Sequence, residues 1–285
     1  MAKTIAFCNQ KGGVGKTTTA INLASYIALS GKKVLLVDID PQGNATSGLG
    51  INKHDIQHSV YHLLIDDADP KTIIMNTQVP NLSLFPSNLN LTGAEVELVG
   101  TLGREHRLKK ALAGLANDFD FILIDCPPSL GLLTINALSA ANSVLIPIQC
   151  EYYALEGLSQ LVNTINLVRE NINPDLSVEG VLLTMADYRT NLTNEVINEV
   201  KKFFGGKVYS TVIPRNIRLA EAPGFCKPIA MYDKNSIAAK KYEDFANELL
   251  GIKKDNVNSH DENKKDIEKE DIAGSILIRK TGEIK

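Results

Sequence analysis

Residues Lys11 to Thr19, KGGVGKTTT, constrain the fold of this chain more than any other stretch. They follow the apolar run Thr4-Ile5-Ala6-Phe7-Cys8 and enter a helical pattern from Ala20 to Ser30. Within them, Lys11-Gly12-Gly13-Val14-Gly15-Lys16-Thr17 is a shifted form of the phosphate-cradle pattern G-x-x-x-x-G-K-[ST]. Glycines let the backbone turn so that several N–H groups converge on one phosphate, and the following helix aims the positive end of its dipole at the same charge. The pattern directs Lys16 to the β and γ phosphates and the Thr17 hydroxyl to Mg²⁺. A strand before and a helix after are the context it requires. Lys11 is an addition. At the loop tip its ammonium lies near, but not over, the phosphates of its own chain, which suits a second subunit's nucleotide.

The chain continues as an alternation of apolar runs and helical patterns. Ala20, Ile21, Leu23, Ala24, Ile27 and Ala28 recur at helical spacing, Gly31 stops the helix, and Val34-Leu35-Leu36-Val37 ends in Asp38 and Asp40. Strand, helix, strand in this order gives a right-handed parallel crossover, so both aspartates lie at the strand's carboxyl end, where open α/β sheets bind ligands. Short helices are expected near 59–65 and from Asp69-Pro70, with a strand at Leu82–Phe85. Thr92 with Glu95 predicts a capping box opening a helix that runs in pieces to Leu115. Further strands are predicted at 119–124, 144–148, 178–183 and 208–213, and helices near 155–169, 192–204 and 236–250. Continuous rather than alternating apolarity means strands covered on both faces. The fold class is therefore α/β: one doubly wound domain over residues 1–251, its mostly parallel twisted sheet flanked by helices on both faces, as in P-loop NTPases.

Three segments together resemble the ParA/Soj partition ATPases of the deviant Walker A group: the KGGVGKT loop with its early lysine, Asp38-Ile39-Asp40-Pro41-Gln42-Gly43, and Asp125-Cys126-Pro127-Pro128-Ser129-Leu130-Gly131. The resemblance runs from about Lys3 to Leu250. It implies an Mg²⁺-dependent ATPase that dimerises on ATP, with residues 11–18 (Lys11, Gly12, Gly13, Val14, Gly15, Lys16, Thr17 and Thr18) around the phosphates and Lys11 and Lys16 serving catalysis. It also implies that Asp40 orients the attacking water, that Asp125 and Thr17 hold the metal with Asp38 close to it, and that Pro214, Arg215 and Asn216 line the adenine. For DNA the candidates are Arg189, Arg215 and Arg218, in loops or helix starts after late strands, with Lys201, Lys202, Lys207 and Lys227 in support, and the resemblance points most directly at Arg189 and Arg218. No helix-turn-helix or zinc pattern occurs, so DNA would be held by its backbone, without sequence preference.

With a formal net charge of −3, the chain has no globally basic coat, although a local basic patch is compatible with that value. The four cysteines, Cys8, Cys126, Cys150 and Cys226, show no C-x-x-C spacing and suit a reducing compartment. The first strand begins almost at Met1, and no apolar run approaches the roughly 20 residues that span a bilayer, so a cytoplasmic protein is expected, and the resemblance implies association with the nucleoid. From 252 to 285 the composition becomes charged and poor in apolar residues, with eight acidic and eight basic residues after Ile252, which predicts a disordered tail. The expected function is an ATP-dependent dimerising switch for chromosome or plasmid segregation, binding DNA non-specifically with a ParB-type partner and no membrane. The alternative is a MinD-like membrane-associated ATPase, but that kind normally ends in a basic amphipathic helix, and this tail carries none. A redox protein like nitrogenase iron protein would need cysteines placed to bridge a cluster, which the scattered set does not offer.

Overall fold

The computed structural model describes residues 1–151 and 158–252. The start of the helix expected near 155, and the tail from 253 onward, lie outside the described residues. Strands β1 (Lys3–Phe7), β2 (Val34–Asp38), β3 (Met75–Asn76), β4 (Leu82–Phe85), β5 (Phe121–Asp125), β6 (Ser143–Gln149), β7 (Ser177–Ala186) and β8 (Val208–Pro214) form one sheet in the order β3-β4-β2-β5-β1-β6-β7-β8. Every neighbouring pair is parallel except β3 with β4.

The helices, in chain order, are α1 (Lys16–Leu29), α2 (Asn44–Gly48), α3 (Val60–Ile65), α4 (Leu91–Glu97), α5 (Arg107–Ala113), α6 (Leu132–Ala140), α7 (Leu158–Asn171), α8 (Asn191–Phe204), α9 (Ile217–Glu221), α10 (Ile229–Tyr232) and α11 (Ile237–Leu250). They cover both faces, which is why the strands read as unbroken apolar runs. On β1, Ile5 and Phe7 face the layer of α1, α10 and α11, while Ala6 and Cys8 face the layer of α3 to α8. β2 divides the same way, with Val34 and Leu36 on the first face and Leu35 and Val37 on the second. Each large aliphatic or aromatic side chain buried here contributes about 1.5–3 kcal/mol relative to exposure.

One local expectation needs correction, and one helix was not expected. α4 opens at Leu91 behind Asn90, so Thr92 stands inside the first turn and caps nothing. α6 carries no amphipathic signature because it is buried nearly all round: Thr134, Asn136 and Ser139 are as enclosed as Leu133 and Leu138. Its Asn136 is satisfied by accepting from the Leu108 amide at 3.1 Å and donating to the Arg104 carbonyl at 2.8 Å. The last helix matches its sequence signals, with the Ser236 hydroxyl accepting from the Ala239 amide and Gly251 left-handed at φ 68°. From α11, Glu248 reaches over the outermost strand, β8, accepting from the Ser210 amide at 2.7 Å, the Ser210 hydroxyl at 2.8 Å and the Thr211 amide at 3.0 Å.

Candidate nucleotide site

Register brings the motifs together. Phe7 lies beside Asp125 across β1 and β5, and Asp38 lies beside Asp125 across β2 and β5, so the glycine loop and both acids emerge at one edge of the sheet. Gly13 (φ 76°) and Gly15 (φ 87°) adopt left-handed conformations that a side chain would strain, and Gly15 forms the N-terminal boundary of α1. Asn9 braces the loop from below: its amide group donates to the Pro147 carbonyl at 2.7 Å and accepts from the Lys11 amide at 3.0 Å.

The loop borders a cavity of about 540 Å³. Gly12, Gly13, Gly15, Lys16, Thr17 and Thr18 line one side, and Asp40, Pro41, Gln42, Asn44, Thr92, Pro128 and Met185 complete it. Val14 is buried and does not line the cavity. Lys16 is nearly enclosed and donates to the Lys11 carbonyl at 3.3 Å. Burial pushes its pKa down and the nearby Asp125 opposes that shift, so this ammonium gains from an anion entering the cavity.

Asp125 is fully buried and neither carboxylate oxygen has a hydrogen-bond partner. Burial, then Asp38, raise its pKa well above the usual carboxylate range, against the smaller pull of Thr17 and Lys16. An unpaired buried carboxylate is costly unless something else satisfies it. Among the described residues no cluster of three or more His, Cys, Asp or Glu could hold a metal. A carboxylate with both oxygens free, beside the Thr17 hydroxyl, fits Mg²⁺, which keeps several waters and is otherwise held through substrate phosphates.

Asp38 is differently employed. Oδ1 accepts from the Asp40 amide at 3.2 Å, and Oδ2 accepts from the Thr46 amide at 2.8 Å and hydroxyl at 2.7 Å. Burial raises its pKa to about 6, with the Thr46 bonds working the other way. The Thr46 hydroxyl accepts from the Ser87 amide at 2.9 Å, and the Ser87 hydroxyl donates to the Asp40 carbonyl at 2.7 Å. This network fixes the turn that carries Asp40 to the cavity, where its own carboxylate accepts from the Gln42 amide at 2.9 Å. Asp38 thus anchors α2 to the end of β2.

The remaining predicted residues sit farther out. The Lys11 ammonium meets Glu151 at 3.5 Å, and Arg215 meets the same carboxylate at 3.5 Å. Pro214 pairs with Ala186 in register, the Arg215 amide donates to the Ala186 carbonyl, and Asn216 caps α9 by accepting from the Arg218 amide at 2.8 Å. None of these three lines the cavity. Arg189 forks onto Asp187 at 2.8 and 2.6 Å, holding that carboxyl down at about 2. Arg218 pairs with Glu221 at 2.9 Å and Asp233 at 3.5 Å. Cys8 and Cys126, just past the ends of β1 and β5, are buried with their sulfurs 3.4 Å apart. Sequence reasoning missed Thr46, Gln42, Asn44 and Met185. Gln42 and Met185 had readable signals, Gln42 within the segment 38–43 and Met185 at the carboxyl end of an apolar strand.

A parallel sheet with a glycine cradle, a buried lysine and an unpaired aspartate at one edge defines a P-loop nucleotide site. The family described as an AAA domain matches residues 2–178. The sporulation initiation inhibitor protein Soj of Bacillus subtilis is 62% identical over 249 residues, spanning 87% of this chain and 98% of that protein. The chromosome partitioning protein ParA of Myxococcus xanthus is 53% identical, spanning 88% of each. A crystal structure titled cobyrinic acid a,c-diamide synthase, from Mycobacterium smegmatis with bound ADP and magnesium, superposes with a TM-score of 0.78 at 40% identity, covering 88% of this chain and 94% of that one. The chain belongs to the Soj/ParA family of partitioning ATPases.

Proposed function

We propose that this protein binds ATP with Mg²⁺ at the cavity beneath the glycine loop, closes into a dimer on it, hydrolyses it, and holds DNA non-specifically in the dimeric state. It would thereby drive chromosome or plasmid segregation with a ParB-type partner. The observation that carries the reading is the convergence of Lys16, the unpaired Asp125 and Asp40 on one edge of the sheet, beside the loop. Magnesium, when bound, would supply positive charge to offset that developing on the transferred phosphoryl group. Thr17 and Asp125 would hold it.

The chain's own residues supply the rest. Lys16, already short of water, exchanges the Lys11 carbonyl for phosphate oxygens. Asp40, on a turn fixed by Asp38, Thr46 and Ser87, orients the attacking water. Lys11 serves the partner's nucleotide once it leaves Glu151, an exposed pair of the kind worth about 0–1 kcal/mol, so the exchange costs little. Arg189 and Arg218, themselves exposed, would trade the half-buried Asp187 and Glu221 for DNA phosphates, and pairing two such patches in a dimer multiplies their effect through effective concentration.

Retention on DNA of arbitrary sequence, measured with ATP, with ADP and without nucleotide, tests this reading. Wild type should be retained with ATP alone, and Asp40→Ala should be retained longest because it turns over slowly. Equal retention in all three conditions would refute it.

A further inference from the structure

Thr184 and Met185 close the carboxyl end of β7, and neither takes part in the hydrolysis chemistry described above. The Thr184 hydroxyl is buried and donates to the Val14 carbonyl at 2.8 Å, across 170 residues of chain. Its own carbonyl accepts from the Cys150 amide at 3.0 Å, so the tip of β7 is held by β6 before it reaches the loop. Met185 follows in a left-handed conformation, φ 51°, which side chains other than glycine and asparagine rarely adopt. It lines the cavity. A Cβ at Gly15 would stand 3.8 Å from the Thr184 methyl and 3.9 Å from the Met185 terminal carbon, so this strand tip packs against the loop over its most constrained glycine.

The Val14–Gly15 peptide is planar and trans, so a carbonyl turned toward Thr184 turns the Gly15 N–H away from it. Gly15 itself lines the cavity. We infer that Thr184 is a positioning residue for the nucleotide: by holding the Val14 carbonyl it keeps the Gly15 N–H directed at the phosphates before any ligand arrives. The inference rests on the proposed ATP site. A glycine-rich loop without this tie would sample other peptide orientations and would meet the ordering cost on binding, whereas a loop held in its bound shape meets that cost in folding. Thr184 touches no reacting atom in this scheme. Its effect falls on affinity and not on the chemical step.

The test compares Thr184→Val, which keeps the shape and removes the hydroxyl, with Thr184→Ser, which keeps the hydroxyl. Loss of one buried hydrogen bond predicts that Thr184→Val raises the Kd for a fluorescent ATP analogue, and the KM for ATP, about tenfold or more. Turnover at saturating ATP should stay within about twofold of wild type, the signature of lost ground-state binding. Thr184→Ser should restore affinity. Wild-type affinity in Thr184→Val overturns the inference, as does an equal loss in Thr184→Ser or a fall in saturated turnover with unchanged KM. If Thr184→Val does not fold, Thr184→Ala against Thr184→Ser asks the same question with the same outcomes. Failure of wild-type protein to bind the analogue would instead overturn the ATP reading, and the inference with it.

Discussion

Thr46→Val isolates the hydroxyl that joins Asp38 to Ser87. Valine matches threonine in shape, and the Thr46 amide remains to serve Asp38 at 2.8 Å. Two bonds disappear: the 2.7 Å donation to a buried carboxylate and the 2.9 Å acceptance from the Ser87 amide. A hydrogen bond to a charged group is worth about 1.5–3 kcal/mol and an orphaned buried donor costs about 1–3 kcal/mol. An added buried methyl returns about 0.8 kcal/mol, leaving a net loss of about 2–5 kcal/mol, or roughly 1–2 M in urea midpoint at a typical slope. The loss should also depend on pH. Asp38, raised to about 6 in the fold, takes up a proton there that the unfolded chain binds only near 3.8, so its contribution to stability increases as pH falls from 6 toward 4 and is flat above that window. The valine removes a bond to the ionised form, so its penalty should be larger at pH 7.5 than at pH 5. Urea unfolding of nucleotide-free protein in chelator, at both pH values and with Thr46→Ser as control, measures this. A penalty below about 1 kcal/mol at pH 7.5, against the ordinary value of one such bond, or one identical at the two pH values, would refute the reasoning.

Other outcomes follow from the same site. Lys16→Ala should abolish nucleotide binding by direct titration, because among the described residues no other lysine or arginine is buried. Gly12→Val should fold and bind ATP, since a Cβ there meets nothing within 4 Å, yet fail to dimerise in sedimentation with ATP if that surface closes on a second copy. Arg189→Ala combined with Arg218→Ala should weaken binding to every DNA sequence alike and flatten its salt dependence, with ATP-driven dimerisation unchanged in sedimentation.

Much of this could be read from residue order because the features are local. The glycine loop states its own turn, and strands such as Val34–Asp38 announce burial on both faces by being apolar throughout. Asp125 was legible as the first acid after such a strand. What escaped depends on contacts between distant segments. Thr46 reaches Ser87 across 41 residues and Thr184 reaches Val14 across 170, and no spacing rule encodes either. α6 escaped for a different reason, since a helix enclosed on all sides has no polar face to set a period. Asp38 was expected close to the metal, and it does lie beside Asp125, but that its oxygens accept from the turn that follows could not be read from spacing. The residues 214–216 carry clear turn signals, and the structure uses them to close β8 and start α9.

Glu248 over β8 bears on how copies of this chain can meet. An outermost strand with free amides is a template on which another chain can add a strand, and repetition of that step builds fibres. Here one carboxylate occupies two amides of β8, while the opposite margin is only the two-residue β3. Growth by lateral strand addition is blunted at both margins. The proposed dimer would meet instead at the loop edge that carries Lys11 and Gly12, where a two-fold contact would use the same surface on both copies and leave nothing open for a third.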